Sequence, residues 1–411
     1  MQAGKSTLEA IVRLGGGQRV GDRPRRARLG DSVIFGVEGA AFATWAVRIP
    51  AVSGSIGLSS GDIGLALLGL AVGSILGLLT SGVLVSRYGG RRVIQGGLFV
   101  YCLSLPVVGL AGGLGNLIGV LVVFGFGKGL VDVAANAQGV RIERGYPRSV
   151  MGSFHALFSG GGLVGSGVGA LATFLGVGVR THFALVGVAL LAVGLIASTR
   201  LLPHDTGTAD GPTVALPSRK LAGFCAIGFC ALFIEGVGND WSAVFLEGPA
   251  GAGPTVATLG FAVFSLSMMA GRFLADRLVA RLGSRRFIRV TAVVAGVGIA
   301  LTLVAHTVVS LVGFAVLGVG LAGVMPVTVS MAGNRDSDTP AERAVAAVST
   351  AGYGGFAVGP VAIGLIASTV SLRAAFVPAL VLALAIAALT LTLSTATQDT
   401  YAGPAGARQD D

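Results

Sequence analysis

The sequence predicts an all-α membrane protein whose twelve transmembrane helices form two pseudo-twofold six-helix bundles. Three observations predict it. Apolar runs of membrane-crossing length recur along the chain, glycines and arginines repeat at one constant spacing, and Lys and Arg collect in alternate loops.

Of the 411 residues, 53% are hydrophobic and only 12% charged, about half the charged fraction of an ordinary soluble domain. The 67 glycines have no collagen-like period and fall mostly inside apolar segments, where small residues let membrane helices approach closely. A net charge of +10 would direct a soluble domain toward nucleic acid. Here the basic residues sit in short loops between apolar stretches, so they read as a topology signal with the lipid bilayer as partner and no nucleic acid. Cys102, Cys225 and Cys230 lie in apolar segments without paired spacing or nearby histidines, and are expected to be free thiols. The first thirty residues are basic and lack the apolar core of a signal peptide, so they are expected to stay as a tail. Gly4-Lys5-Ser6 lacks the upstream glycine and strand of a phosphate loop.

A hydrocarbon core of about 30 Å takes roughly twenty helical residues. Runs of that length place helices one to six at Ser32 to Val52, Ile63 to Val85, Val93 to Ala111, Leu117 to Val140, Val150 to Leu175 and His182 to Thr199. Helices seven to twelve follow at Leu221 to Val244, Val256 to Asp276, Phe287 to Ala305, Val309 to Ala332, Ala344 to Ala367 and Ala374 to Ser394. The expected organisation is a basic tail (1–30), a six-helix half (31–200), a linker (201–220) rich in Pro, Gly and Asp, a second half (221–394) and a C-terminal tail (395–411).

Of the 29 Lys and Arg, 25 fall in the N-terminal tail, in the loops after helices two, four, six, eight and ten, and at Arg408. The others are Arg48, Arg180 and Arg373 toward the opposite face and Lys128 inside helix four. The asymmetry predicts a multi-pass protein of the inner (plasma) membrane with both termini cytoplasmic. The halves also repeat. Gly77 and Gly271, Arg87 and Arg281, Gly89 and Gly283, Arg91 and Arg285, Gly160 and Gly354, Gly161 and Gly355, and Gly165 and Gly359 all pair at a spacing of 194, and Arg180 pairs with Arg373 at 193. Parallel repeats imply a pseudo-twofold axis along the membrane normal, with a solute path between the halves.

With this topology goes a loop between helices two and three built from Gly82, Ser86, Arg87, Gly89, Arg91 and Arg92, and a degenerate copy at Asp276, Ala280, Arg281, Gly283, Arg285 and Arg286. From about Asp31 to Leu393 the chain resembles the major facilitator superfamily, whose pattern there is Gly, three residues, Asp-Arg, one residue, Gly, then basic residues. The resemblance implies a transporter, and assigns gating to Gly82, Arg87, Gly89, Arg91, Arg92, Arg281 and Gly283. Ser86 replaces the usual acid and Gly90 a usual base, which puts a charge-relay latch in doubt and leaves a topology anchor as the alternative. Asp132 to Asn136, Phe154 to Gly162 and Glu235 to Trp241 are similar to a bacterial sugar-permease-like branch.

Ionisable side chains are costly in a membrane interior and by default functional. Those present are Glu38 in helix one, Lys128 and Asp132 in helix four, His155 at the start of helix five, and Glu235 and Asp240 in helix seven; the resemblance implies that helices one, four and seven line a central cavity. Lys128, Asp132 and Asn136 are spaced by four on one helix face, so Lys128 and Asp132 form either a solute-responsive pair or a permanent one. Glu38-Gly39 before Trp45 parallels Glu235-Gly236 before Trp241. Desolvation penalises an ionised carboxyl, which fits Glu38, Asp132 and Glu235, with His155, for carrying protons, and Asp240 for an external gate. Trp45 and Trp241 either stack on solute or anchor helices at the membrane interface; with Lys128, Asn136 and Asn239 they form the candidate solute set. Gly161, Gly165 and Gly169 form a small-residue stripe, and Pro360 is a candidate hinge in helix eleven. Efflux antiporters of the superfamily it resembles carry Gly-Pro in helix five; here helix five has Gly165-Ser166 and Gly359-Pro360 lies in helix eleven, so the resemblance tilts the expectation toward uptake.

These readings converge on a secondary active transporter of a small polar, sugar-like solute, coupled to protons, working by alternating access as a monomer without cofactor or metal. The alternatives are proton-driven efflux of drug-like compounds and a non-transporting receptor. An enzyme is not expected, because no nucleophile–base set or nucleotide motif is readable.

Overall fold

The computed structural model describes residues 22–146, 150–203, 221–334 and 341–393. Most of the expected linker, the C-terminal tail and all but the end of the N-terminal tail lie outside these residues. Among the described residues twelve helical units follow one another. They are α1 (Arg23–Ile56), α2 (Ser60–Tyr88), α3 (Gly90–Val108), α4 (Leu114–Glu143), α5 (Met151–Phe174), α6 (Val179–Ser198), α7 (Ala222–Glu247), α8 (Pro254–Leu282), α9 (Ser284–Thr302), α10 (Thr307–Gly333), α11 (Ala341–Thr369) and α12 (Leu372–Thr392). Ten of them are long and apolar enough to cross a membrane. The other two, α3 and α9, have 19 residues each and open on arginines that lower their hydropathy.

Three units are broken. In α1 the turn at Val47-Arg48 precedes a second segment, Ile49–Ile56, with Pro50 in its first turn, where proline loses no helical hydrogen bond. A break at Ala322-Gly323 divides α10, and one at Phe376, with Pro378 just beyond, divides α12.

The repeat legible in the sequence is present in the packing. In the first half α1 lies on α5 and α6, α2 on α4, and α3 on α4 and α6; in the second, α7 lies on α11 and α12, α8 on α10, and α9 on α10 and α12. Small residues make the same crossings in both halves. A Cβ on Gly161 would overlap the Gly36 carbonyl of α1, and one on Gly165 would fall 2.5 Å from the Ala40 carbonyl. At the matching positions, a Cβ on Gly355 would overlap the Phe229 carbonyl of α7, and one on Gly359 would lie 3.1 Å from that of Phe233.

The paired turn glycines behave alike as well. Gly89 (φ 85°) and Gly283 (φ 75°) have positive φ, which side chains resist, and their N–H groups cap Val85 and Val279 at 2.9 and 2.8 Å. Three arginines outside the basic loops also have a structural explanation, since each binds carbonyls at a helix C-terminal end. Arg180 donates to Gly109 O after α3 (3.2 Å), Arg373 to Leu303 O after α9 (2.6 Å), and Arg48 to Val177 O beyond α5 (2.6 Å) and to the Thr173 hydroxyl.

The halves meet along α5 with α8 and α2 with α11. At the face away from the basic loops they touch closely, for a Cβ on Gly364 would lie 2.7 Å from Gly64 Cα. The Phe42 and Phe261 rings are 6.0 Å apart across the same seam. Trp45 (1% exposed) and Trp241 (0%) are buried in this closed end. This corrects the expectation of interfacial anchors, and in this state neither ring is free to stack on a solute. The three cysteines are free and buried.

Candidate functional site

Between the two bundles, on the basic side of the closed end, charges gather from α1, α4, α7 and α8. On α4, residues one turn apart place Lys128, Asp132 and Asn136 on one face. Asn136 Nδ2 donates to the Asp132 carboxylate (2.7 Å) and to its main-chain carbonyl (2.8 Å). The i, i+4 spacing points to Asp132 as the partner of Lys128, but its carboxylate is 4.0 Å from Nζ, whereas Glu38 on α1 receives a hydrogen bond from Nζ at 3.1 Å. Lys128 is therefore shared by two acids, the deeper of which comes from a helix ninety residues earlier. Tyr101 of α3 donates to the Glu38 carbonyl at 3.0 Å and fixes that turn of α1. The second Glu38 oxygen, Oε2, is buried with no hydrogen-bond partner among the described residues. The Phe158 ring lies 5.9 Å from Nζ.

The second half contributes Glu235 and Arg272. Arg272, inside helix eight as the sequence draws it, lies within α8 with Nη2 3.6 Å from Glu235 Oε1 of α7. Its Nη1 donates across the seam to Ser159 Oγ (2.8 Å) and to the His155 carbonyl (3.3 Å), both on α5. His155 is exposed, its ring edge against Phe35 at 5.4 Å. Asn239 is half-buried one turn beyond Glu235. Asp240 is fully buried, its Oδ1 has no partner among the described residues, and it lies within electrostatic range of Lys128.

Tyr353 on α11 is a site residue the sequence did not single out. It is 42% exposed although it lies within electrostatic range of Glu38, Asp132 and Glu235. Its place beside acids from α1, α4 and α7 puts Tyr353 on the side of α11 that faces the charged cluster. The repeat offered a signal, since Tyr353 and Ser159 are separated by 194 and each precedes a paired Gly-Gly. The loop residues Gly82, Arg87, Gly89, Arg91 and Arg92, with Arg281 and Gly283, lie apart from this cluster at the basic ends of α2, α3 and α8. Among the described residues Arg87, Arg91, Arg92 and Arg281 make no ion pair. Ser86, in the acid's place, turns back to Val83 O at 2.8 Å. Pro360 lies inside α11 beside Gly64, where a Cβ would be 3.1 Å from the proline carbonyl.

Residues 223–409 match the family model of the Major Facilitator Superfamily. An uncharacterized MFS-type transporter of Yersinia pestis is 35% identical over 343 residues, covering 83% of this chain and 89% of the relative. Among solved structures, a point mutant of the nucleoside transporter NupG superposes with a TM-score of 0.72 at 13% identity, over 89% of this chain and 99% of that one. A bacterial homologue of the human lysosomal transporter Spinster, in an inward-facing and occupied conformation, gives 0.70 at 16% identity over 90% and 96%. With the twelve-helix repeat and the charged cluster between the halves, the 35% relative across most of both chains shows that this protein belongs to the major facilitator superfamily of multi-pass membrane transporters.

Proposed function

We propose that the protein is a proton-coupled secondary transporter of a small polar, sugar-like solute, which rocks its halves around the passage between them. The observation that carries the reading is Lys128, held between Glu38 and Asp132 and still in contact with solvent. A buried ammonium needs a carboxylate. Protonating one acid shifts Lys128 onto the other, and a solute hydroxyl or carbonyl can take the vacated position, so proton and solute occupancy are linked through one cation. Glu38 and Asp132 are the coupling acids in this reading, with Glu235 on the facing wall and His155 on α5 of their own half. Lys128, Asn136 and Asn239 contact the solute. Trp45 and Trp241 join them when the closed end opens, and Pro360 with the two glycine loops provides the hinges. The basic face is cytoplasmic, carrying both termini, the membrane is the inner (plasma) membrane, and the protein acts as a monomer.

The test is pH-driven uptake into proteoliposomes after a thermal-stabilisation screen of sugars, nucleosides and drug-like amphiphiles. A solute at a hundredfold excess over Kd stabilises by about 2.7 kcal/mol. Glu38→Gln and Asp132→Asn are expected to abolish proton-driven accumulation while leaving solute exchange. If both variants still concentrate solute, the coupling assignment fails; if only amphiphiles stabilise the protein, the solute class fails.

A further inference from the structure

The contacts between the halves are mostly apolar or main-chain. Gly64 packs on Gly364, Phe42 faces Phe261, and a Cβ on Gly162 would meet the Phe261 ring at 3.1 Å. Among the described residues, the side-chain hydrogen bonds that join one half to the other are both made by Arg272, to Ser159 Oγ and to the His155 carbonyl. The same guanidinium has a rival partner in its own half. Glu235 Oε1 is 3.6 Å from Nη2, too far for a hydrogen bond but within reach of a small rotation. A planar guanidinium with several donors can be held at one edge and recruited at the other, and ionisation of the rival strengthens its pull.

We propose that Arg272 is the positioning residue that carries the charge state of Glu235 across the seam between the halves. With Glu235 neutral, Arg272 stays on Ser159 and the His155 carbonyl and ties α8 to α5 in the arrangement seen here. With Glu235 ionised, the guanidinium closes onto α7 and releases α5, so the halves are free to rock. The other groups facing this cluster are Tyr353 from α11, within range of Glu235, the His155 imidazole of α5, and Asp132 of α4, within range of His155. The proposal rests on proton uptake at Glu235, and its test reads conformation rather than transport.

Spin labels at Val83→Cys on α2 and Val345→Cys on α11, near the basic face, report the distance between the halves by pulsed electron resonance in the full chain. Ser159→Ala and Arg272→Gln are each expected to shift the ratio of the present arrangement to one with the basic ends of the halves drawn together by about tenfold toward the latter, the scale of one charge-assisted hydrogen bond. The double variant should move it no further, and Arg272→Lys should recover part of the shift. Glu235→Gln should move the ratio the opposite way and remove its dependence on pH. A native ratio in Ser159→Ala, or a Glu235→Gln ratio that is unchanged or moves with that of Ser159→Ala, overturns the proposal. If Glu235→Gln shifts the distances as stated yet keeps full proton-driven accumulation, the latch stands and the coupling role of Glu235 falls.

Discussion

Replacing Lys128 with alanine is expected to destabilise the folded protein by about 3 kcal/mol and to abolish transport. The Glu38 side chain is 2% exposed and its Oε2 has no partner among the described residues, so Lys128 is the cation that compensates it. Removing one member of a buried pair costs about 3 to 5 kcal/mol, because the surviving charge stays in a low-dielectric site. The lower end applies here, since Lys128 is 16% exposed and solvent compensates part of the loss. Combining Lys128→Met with Glu38→Gln removes both charges, and stability should return toward native while transport does not. Thermal unfolding of the purified variants, with uptake measured beside it, separates the two consequences. Native-like stability of Lys128→Ala would mean that Glu38 is not held as an ion.

Gly161→Val should be as damaging, for a steric reason. Its Cβ would overlap the Gly36 carbonyl, main chain that cannot step aside without moving α1 off α5. Overpacking costs about 1 to 3 kcal/mol, a main-chain overlap putting it at the upper end, and it displaces the helix that carries Glu38. Gly355→Val, which would meet Phe229 O in the second half, should cost a similar amount. Gly167→Val, with nothing within 4 Å of its Cβ, should fold like the native chain. Folded yield and melting temperature check all three, and a well-folded Gly161→Val would mean the crossing is looser than described.

The fold was legible because its determinants are local or periodic. Apolar run length fixes a crossing, and the 194-residue spacing of Gly161 with Gly355 and of Gly89 with Gly283 marks positions where no side chain fits or where φ is positive. Helix ends were less legible. Hydropathy starts helices three and nine at Val93 and Phe287, whereas α3 and α9 begin at Gly90 and Ser284, because arginines that leave the apolar run still accept helical geometry at a membrane surface. The site was legible as a list of residue types but not as a set of partners. Spacing could pair Lys128 only with Asp132, four residues away. The closer partner, Glu38, is set by how α1 packs on α4. Arg272 was missed for a related reason. An arginine inside a crossing shows its partners only once two neighbouring helices, α7 and α5, place Glu235 and Ser159 within reach. For the two tryptophans, pattern alone does not separate an interfacial ring from one buried where the halves meet.

The central claim is that the charged cluster lines a passage open to one face at a time, and labelling at Tyr353 tests it most directly. Tyr353→Cys, in a chain whose buried native cysteines are replaced by serine, is treated with a membrane-impermeant thiol reagent applied separately to each side of sealed vesicles. The account predicts rapid labelling from the side carrying the basic loops, slow labelling from the other, and protection by a transported solute. Equal labelling from both sides, or none from either, would contradict it.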